Sequence, residues 1–276
     1  MTGKMTISQL QKMTDDGEKI SMVTAYDYPM ALLVDRAGID TVLVGDSVGD
    51  NMLGYSNTVP VTMDEMIHHT KAVRRGLHQA FLVGDMPFLS FQVSTEKAIE
   101  NAGRFMKEGG VEAVKLEGGE EIADTLHKMV KLGIAVMGHI GFTPQREAQF
   151  GARRLNVSDE DTARKVLNDA KILEEAGAFS IVLEKMPSQL AQIISDRLTI
   201  PTIGIGSGVH CDGQVLVITD ILGLASREFK HAKRYANLSE IIEQAVRAYH
   251  GEVKSGLFPS EEHGFKMKDE LLQNLK

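Results

Sequence analysis

The 276-residue chain has no tryptophan, one cysteine and seven prolines, and aromatic residues make up only 5% of it. A single thiol, Cys211, cannot close an intramolecular disulfide, so a disulfide-stapled fold is excluded and a reducing compartment such as the cytoplasm is expected. No segment approaches the roughly 18 consecutive apolar residues of a membrane span. The opening stretch MTGKMTISQLQKMTDDGEKI also lacks the apolar core of a secretory signal, so no membrane partner is expected. Positive charge is short as well: 30 Lys and Arg stand against 38 Asp and Glu, a formal net charge of -8. Binding a phosphate backbone depends on clustered cations, and the pairs Arg74-Arg75 and Arg153-Arg154 are too short to supply them. No nucleic-acid partner is expected.

What the chain does contain is the composition of a folded globular protein, 43% hydrophobic and 25% charged. Its length suits one large α/β domain or two smaller ones. No Pro/Gly/Ser-rich linker divides it, so a single domain over 1–276 is expected, with extra helical material at both ends and 255–276 as a charged tail. That tail is expected to cover the core or to dock on a neighbour.

One unit recurs: an amphipathic stretch ends in Gly, a short apolar run follows, and the run stops at a polar or Gly-rich turn. RAGIDTVLVGDS, EGGVEAVKLEGG, KLGIAVMGHIG and EAGAFSIVLEKM are four copies. Glycine just past a helix supplies the left-handed cap, and a continuous apolar run is what a strand buried on both faces requires. SMVTAYD, TVLVGDS, AFLVGDM, AVKLEGG, AVMGHIG, FSIVLEKM, PTIGIGSG and QVLVITD bring the strands to about eight. That number closes a parallel (β/α)8 TIM barrel, although an open doubly wound sheet shares the same alternation. Between the strands, STEKAIENAGRFMKEGG reads as a helix capped by Ser94 with Ala98, Ile99, Ala102, Phe105 and Met106 on one face. PSQLAQIISDRL reads as a helix opened by Pro187 with an apolar stripe of Leu190, Ile193 and Ile194.

In such a barrel the chemistry gathers at the C-terminal ends of the strands. Those ends carry Asp27, Asp46 with Ser47, Asp85, Lys115 with Glu117, His139 and Glu184. Asp46, Asp85 and Glu117 without cysteine make a hard oxygen set suited to Mg²⁺, and turn chemistry alone would also place Asp and Gly after a strand. Lys115 and Glu117 are two residues apart, so both side chains face the same way. Lys115 is then a structural ion-pair partner or a cation for an anionic substrate. His139 is a core histidine or a donor to a substrate oxygen. Glu184 closes the apolar run SIVL, a suitable place for a general base, and strand alternation turns Lys185 to the opposite face. His68 and His69 point in different directions on a helix and make no metal pair. The run GIGSG at 204–208 would cradle a phosphate or simply allow a tight turn, and Cys211 is structural. A divalent cation in this mouth can chelate a 2-oxo acid, acidify the adjacent carbon and favour an enolate.

The segments TAYDYPMA, AGIDTVLVGDSVGD, TVPVTMDEMIHHTKAVRRG, VKLEGG, GHIGFTPQ, GIGSGVHCDGQVLV and FPSEEHGF resemble the 3-methyl-2-oxobutanoate (ketopantoate) hydroxymethyltransferase family from about Thr6 to Phe265. The resemblance implies a barrel enzyme of pantothenate biosynthesis. It would carry a hydroxymethyl unit from 5,10-methylenetetrahydrofolate to 3-methyl-2-oxobutanoate with one Mg²⁺ per subunit, giving 2-dehydropantoate and tetrahydrofolate. It further implies Asp46, Asp85 and Glu117 at the metal, and Asp46, Ser47, Asp85, Lys115 and His139 about the oxo acid. Glu184 matches the proton acceptor, and a homodecamer is the implied assembly. Two stretches depart from the family pattern: GARRLNVS at 151–158 replaces a GGYKVQGR-like segment, and Asp50 stands where Met is frequent. A 2-oxo-acid carbon-carbon lyase and a non-catalytic metal-binding barrel are the rival readings.

Overall fold

The structure is a computed structural model that describes residues 3–147, 157, 159–225, 229–273 and 275. Eight parallel strands close on themselves in sequence order: β1 (Ile20–Thr24), β2 (Thr41–Val44), β3 (Phe81–Asp85), β4 (Ala113–Glu117), β5 (Ala135–Gly141), β6 (Ser180–Glu184), β7 (Thr202–Ile205) and β8 (Gly213–Leu216). Closure by the pairing of β1 with β8 excludes the open sheet.

Alternation along each strand sorts the apolar residues into two layers. Leu82, Val114, Leu116, Val136, Ile181 and Leu183 face outward and pack against the helices. Met22, Leu43, Phe81, Val83, Ala113, Met137, Val182, Ile203 and Val215 fill the barrel interior. Helix α1 (Ile7–Asp15) adds Leu10 to that interior cluster. Continuing the same inward series toward the C-terminal ends brings up Asp85, Lys115, Glu117, His139 and Glu184. The strand pleat that buries Val83 and Ala113 therefore also delivers the charged residues to the mouth.

Outside lie α2 (Tyr28–Arg36), the short α3 (Val48–Asn51), α4 (Met63–Gly76), α5 (Thr95–Arg104), α6 (Ala123–Lys131), α7 (Glu160–Ala176) and α8 (Ser188–Arg197). Side-chain caps start several of them, Ser94 as expected. Ser94 caps α5 by accepting from the Lys97 N–H at 3.2 Å, and Thr62 with Glu65 forms a reciprocal capping box on α4. After α5 the chain widens into a π turn, Phe105–Gly109, which seats the Phe105 ring over Gly84 of β3 so closely that a Cβ there would lie 2.5 Å from the ring. On α8 the sequence reading needs correction. Leu190 and Ile194 are buried, but Ile193 is 42% exposed and Ala191 takes the inward place beside them. The stripe is narrower than three large residues because a small side chain there lets the helix sit close to the barrel.

After β8 come the short α9 (Ile218–Leu222), α10 (Leu238–Ser255), a 3-10 turn (Glu261–His263) and α11 (Asp269–Gln273). No residue of α10 or α11 is buried. Ile242, Val246, Tyr249 and Val253 form an exposed apolar stripe along α10, and Leu257, Phe265 and Leu271 beyond it are exposed too. Exposure of this kind begins with α10, before residue 255.

Candidate active site

Five inward residues of adjacent strands meet at the mouth, and register explains how. Asp85 is paired with Lys115 across β3 and β4, and Glu117 with His139 across β4 and β5. Neighbouring inward side chains in paired positions are in contact range. Lys115 Nζ lies 2.7 Å from Asp85 Oδ1, 3.8 Å from Glu117 Oε1 and 3.2 Å from His139 Nδ1. His139 Nδ1 is 3.3 Å from Glu117 Oε1, and its Nε2 is 3.2 Å from Glu184 Oε2. The turn after β2 supplies Asp46, whose backbone N–H donates to Asp85 Oδ2 at 3.1 Å. It also supplies Ser47, whose Oγ lies 2.8 Å from the Tyr26 hydroxyl.

All of the ionisable members of this network are buried. Burial raises the Asp46 carboxyl well above the ordinary range, and the charges of Asp85 and Glu117 add to the shift. Asp85 is raised by burial as well, against the opposing charge of Lys115. Burial disfavours the charged Lys115, yet Asp85, Glu117 and Asp46 outweigh it and hold the ammonium protonated. Glu117 is pushed up by burial but ends below its usual value because His139 and Lys115 face it. For His139, burial and Lys115 lower the value while Glu117 and Glu184 raise it, and the raising interactions win.

Among the described residues no group of three His, Cys, Asp or Glu side chains stands ready to enclose a metal ion. Lys115 explains the spacing, since its ammonium lies between Asp85 and Glu117. The oxygens remain suited to a hard cation: Glu117 Oε1 is buried with only long approaches from His139 Nδ1 and Lys115 Nζ, and Asp46 and Asp85 are tied together through the Asp46 N–H.

Three features escaped the sequence reading. Gln145 is buried, and its Nε2 donates to Asp46 Oδ2 and to Met86 O, both at 2.9 Å, while its backbone N–H donates to Glu117 Oε2 at 3.1 Å. It sits in GFTPQ after β5, where only its place behind a barrel strand could have flagged it. Tyr26, which holds Ser47, follows β1 in the same way. Lys185 departs from the strand alternation used to turn it away: β6 ends at Glu184, Lys185 takes φ 45, and its Nζ swings back to 3.6 Å from Glu184 Oε1. Other polar residues lie elsewhere. Asp27 caps α2 by accepting from the Met30 N–H. His68 and His69, expected to point apart, have their rings in edge contact on α4, and His69 Nδ1 lies 2.7 Å from Tyr26 O. Ser207 of GIGSG donates to Leu183 O at 2.7 Å in a tight turn, and Cys211 is buried. Arg153, Arg154 and all of 151–158 except Val157 fall outside the described residues.

Asp46, Ser47, Asp85, Lys115, Glu117, His139 and Glu184 line a cavity of about 1010 Å³, whose apolar wall includes Leu43, Val182, Ile205 and Val215. The sequence profile of the Ketopantoate hydroxymethyltransferase family matches residues 4–261. The chain belongs to this family. The 3-methyl-2-oxobutanoate hydroxymethyltransferase of Carboxydothermus hydrogenoformans is 54% identical over 273 residues, covering 99% of both chains. The protein of the same description from Moorella thermoacetica is 54% identical over 264 residues, covering 95% of this chain and 98% of that one. Among solved structures, a phosphonopyruvate hydrolase superposes with TM-score 0.62 at 12% identity, covering 98% of this chain and 94% of the other. A 2,3-dimethylmalate lyase gives 0.59 at 12%, covering 98% and 93%. At such identities these two establish the shared barrel alone.

The neutral Gln145 side chain ties the Asp46 carboxyl to the backbone just after β3. Gln145→Ala is expected to lower stability by about 2 kcal/mol, since it strands Asp46 Oδ2 and Met86 O without that donor. Urea denaturation at fixed protein concentration measures this.

Proposed function

We propose that this hydroxymethyltransferase family member extends 3-methyl-2-oxobutanoate by one carbon, taking the unit from 5,10-methylenetetrahydrofolate and releasing 2-dehydropantoate and tetrahydrofolate, the entry step to pantothenate. The observation that carries the reading is the arrangement of Glu184, His139, Glu117, Lys115 and Asp85 as one buried chain of contacts beside an apolar wall, in a chain of this family. Leu43, Val182, Ile205 and Val215 take the branched alkyl group. Lys115, held protonated, faces the substrate carboxylate and keto oxygens, and Ser47, oriented by Tyr26, donates beside it.

Glu184 acts as the base. The C3–H bond breaks, its proton goes to the Glu184 carboxylate, and the electron pair moves to the keto oxygen to form an enolate. His139 holds one Glu184 oxygen through Nε2, and Lys185 approaches the other. The enolate carbon then forms its new bond to the one-carbon unit, both carbon–nitrogen bonds to the folate break, one water supplies the hydroxyl oxygen, and the protons of that water together with the one held by Glu184 end on the new hydroxyl and the two freed tetrahydrofolate nitrogens. Asp46 and Asp85, with Glu117 behind them, would hold Mg²⁺, which when bound supplies Lewis-acid polarisation of the keto group. Membership of the family sets aside the lyase reading, because the lyase likeness rests on fold alone.

The exposed stripe of α10 suits burial against another copy, and a homodecamer is the proposed assembly. No helix among the described residues is long and apolar enough to cross a membrane. The cytoplasm is the proposed compartment, in keeping with a lone cysteine that is buried and free.

In D₂O with Mg²⁺ and no folate, the C3 hydrogen of 3-methyl-2-oxobutanoate is expected to exchange, as followed by proton NMR. Glu184→Gln is expected to slow that exchange by about 100-fold or more while still binding the oxo acid. Exchange at the normal rate would remove Glu184 from the base role.

The metal assignment has its own signature. The raised Asp46 and Asp85 carboxyls favour the proton, so their contribution to metal-free stability is present below the ordinary carboxylate range and is lost as pH rises through their raised values. A bound cation replaces that proton. Mg²⁺ is therefore expected to raise the Tm more at pH 8 than at pH 5, measured by scanning calorimetry. An equal increment at both pH values would contradict the assignment.

A further inference from the structure

The cavity holds more than the proposed acid requires. Pockets for drug-sized ligands run to about 300–1,000 Å³, and this one reaches about 1010 Å³. A branched five-carbon acid against Leu43 and Val215 leaves the outer part open. That part is lined by different chemistry: Phe142, Lys185, Asp220, Phe229 and His231, with Asp50 also on the wall.

The outer wall is aromatic and cationic. Lys185 Nζ stands 4.2 Å from the Phe142 ring centre and 5.7 Å from that of Phe229. The Phe229 and His231 rings are 5.5 Å apart and tilted by 32°. Phe229 is 39% exposed although it faces a cavity, so a flat ligand laid on it would cover apolar surface that the protein alone leaves wet. This wall is anchored to the proposed base, since the Phe142 N–H donates to Glu184 O at 2.8 Å.

Asp220 supplies the polar complement. It lies on α9, partly buried, and among the described residues no hydrogen bond or ion pair holds its carboxylate. Burial and then the charge of Asp50 push it up to about 6, against Arg234 and Lys185. A half-buried carboxylate without a donor is matched by a ligand that brings two adjacent N–H groups. The aminopyrimidine edge of a pterin has that pattern, and its ring system is flat.

We propose that the outer chamber seats the pterin of the one-carbon donor, its ring against Phe142 and Phe229 and its aminopyrimidine N–H edge on Asp220. The assignment rests on the transferase reading for the donor's identity, and it puts the transferable carbon next to Glu184, where the oxo-acid carbon becomes nucleophilic.

The test uses the stable analogue 5-formyltetrahydrofolate and isothermal titration calorimetry on the full chain. Asp220→Asn turns an acceptor toward donors only in part, and its Kd for the analogue is expected to rise about tenfold or more, with Asp220→Glu recovering most of the loss. Phe229→Ala is expected to weaken binding about fivefold through lost ring contact. The Kd for 3-methyl-2-oxobutanoate should stay within about twofold in each, which also reports a folded barrel. Wild-type affinity for the analogue in both Asp220→Asn and Phe229→Ala, or no binding by the wild type, overturns the assignment. Weakened folate binding in the variants, in a wild type that fails to exchange the oxo-acid C3 hydrogen, leaves the pterin seat standing and overturns the transferase chemistry.

Discussion

The mouth of this barrel depends on one ammonium group. Lys115 is buried among Asp46, Asp85 and Glu117, and without a positive charge there the carboxylates would repel one another in a medium where water cannot screen them. Two unit charges 4 Å apart interact by about 4 kcal/mol at an effective dielectric constant near 20, and Lys115 stands at 2.7 Å from Asp85 and 3.8 Å from Glu117. Such pairing offsets desolvation only when the remaining polar atoms find partners. Gln145 and the Asp46 N–H supply several of them. The network is therefore a cost that the surrounding apolar barrel sustains.

Placement follows from the strand pleat. Because alternate residues face the barrel axis, a strand that buries Val83 inward must also turn Asp85 inward, and one that buries Ala113 must turn Lys115 and Glu117 the same way. Paired register then sets Lys115 beside Asp85 and His139 beside Glu117. Outside, Phe105 leans on Gly84 and fixes the end of β3 just before its carboxylate. Packing and chemistry share the same residues here.

Much of this was legible in the sequence because it is periodic. Apolar runs ending in Gly and a charge mark strands and their C-terminal ends, and the two-residue step from Lys115 to Glu117 places both in one layer. What escaped detection is what periodicity cannot encode. Gln145 and Tyr26 act from loops whose path is set by long-range packing. Lys185 lies one residue beyond its strand, where a positive φ replaces alternation and turns it back to Glu184. Ile193 was misplaced because helical spacing fits both it and Ala191, and close approach to the barrel favoured the smaller residue. Ile242, Val246, Tyr249 and Val253 recur at helical spacing along α10, yet none of them is buried by the described residues.

The central claim, that Lys115 is the counter-charge on which the carboxylates depend, is tested most directly by a double-mutant cycle between Lys115→Met and Asp85→Asn, read by urea denaturation of metal-free protein at neutral pH. Removing one member of a buried pair costs about 3–5 kcal/mol. The account predicts that the double variant is more stable than the sum of the two single losses implies, by about 1 kcal/mol or more. Strict additivity of the two losses would contradict it.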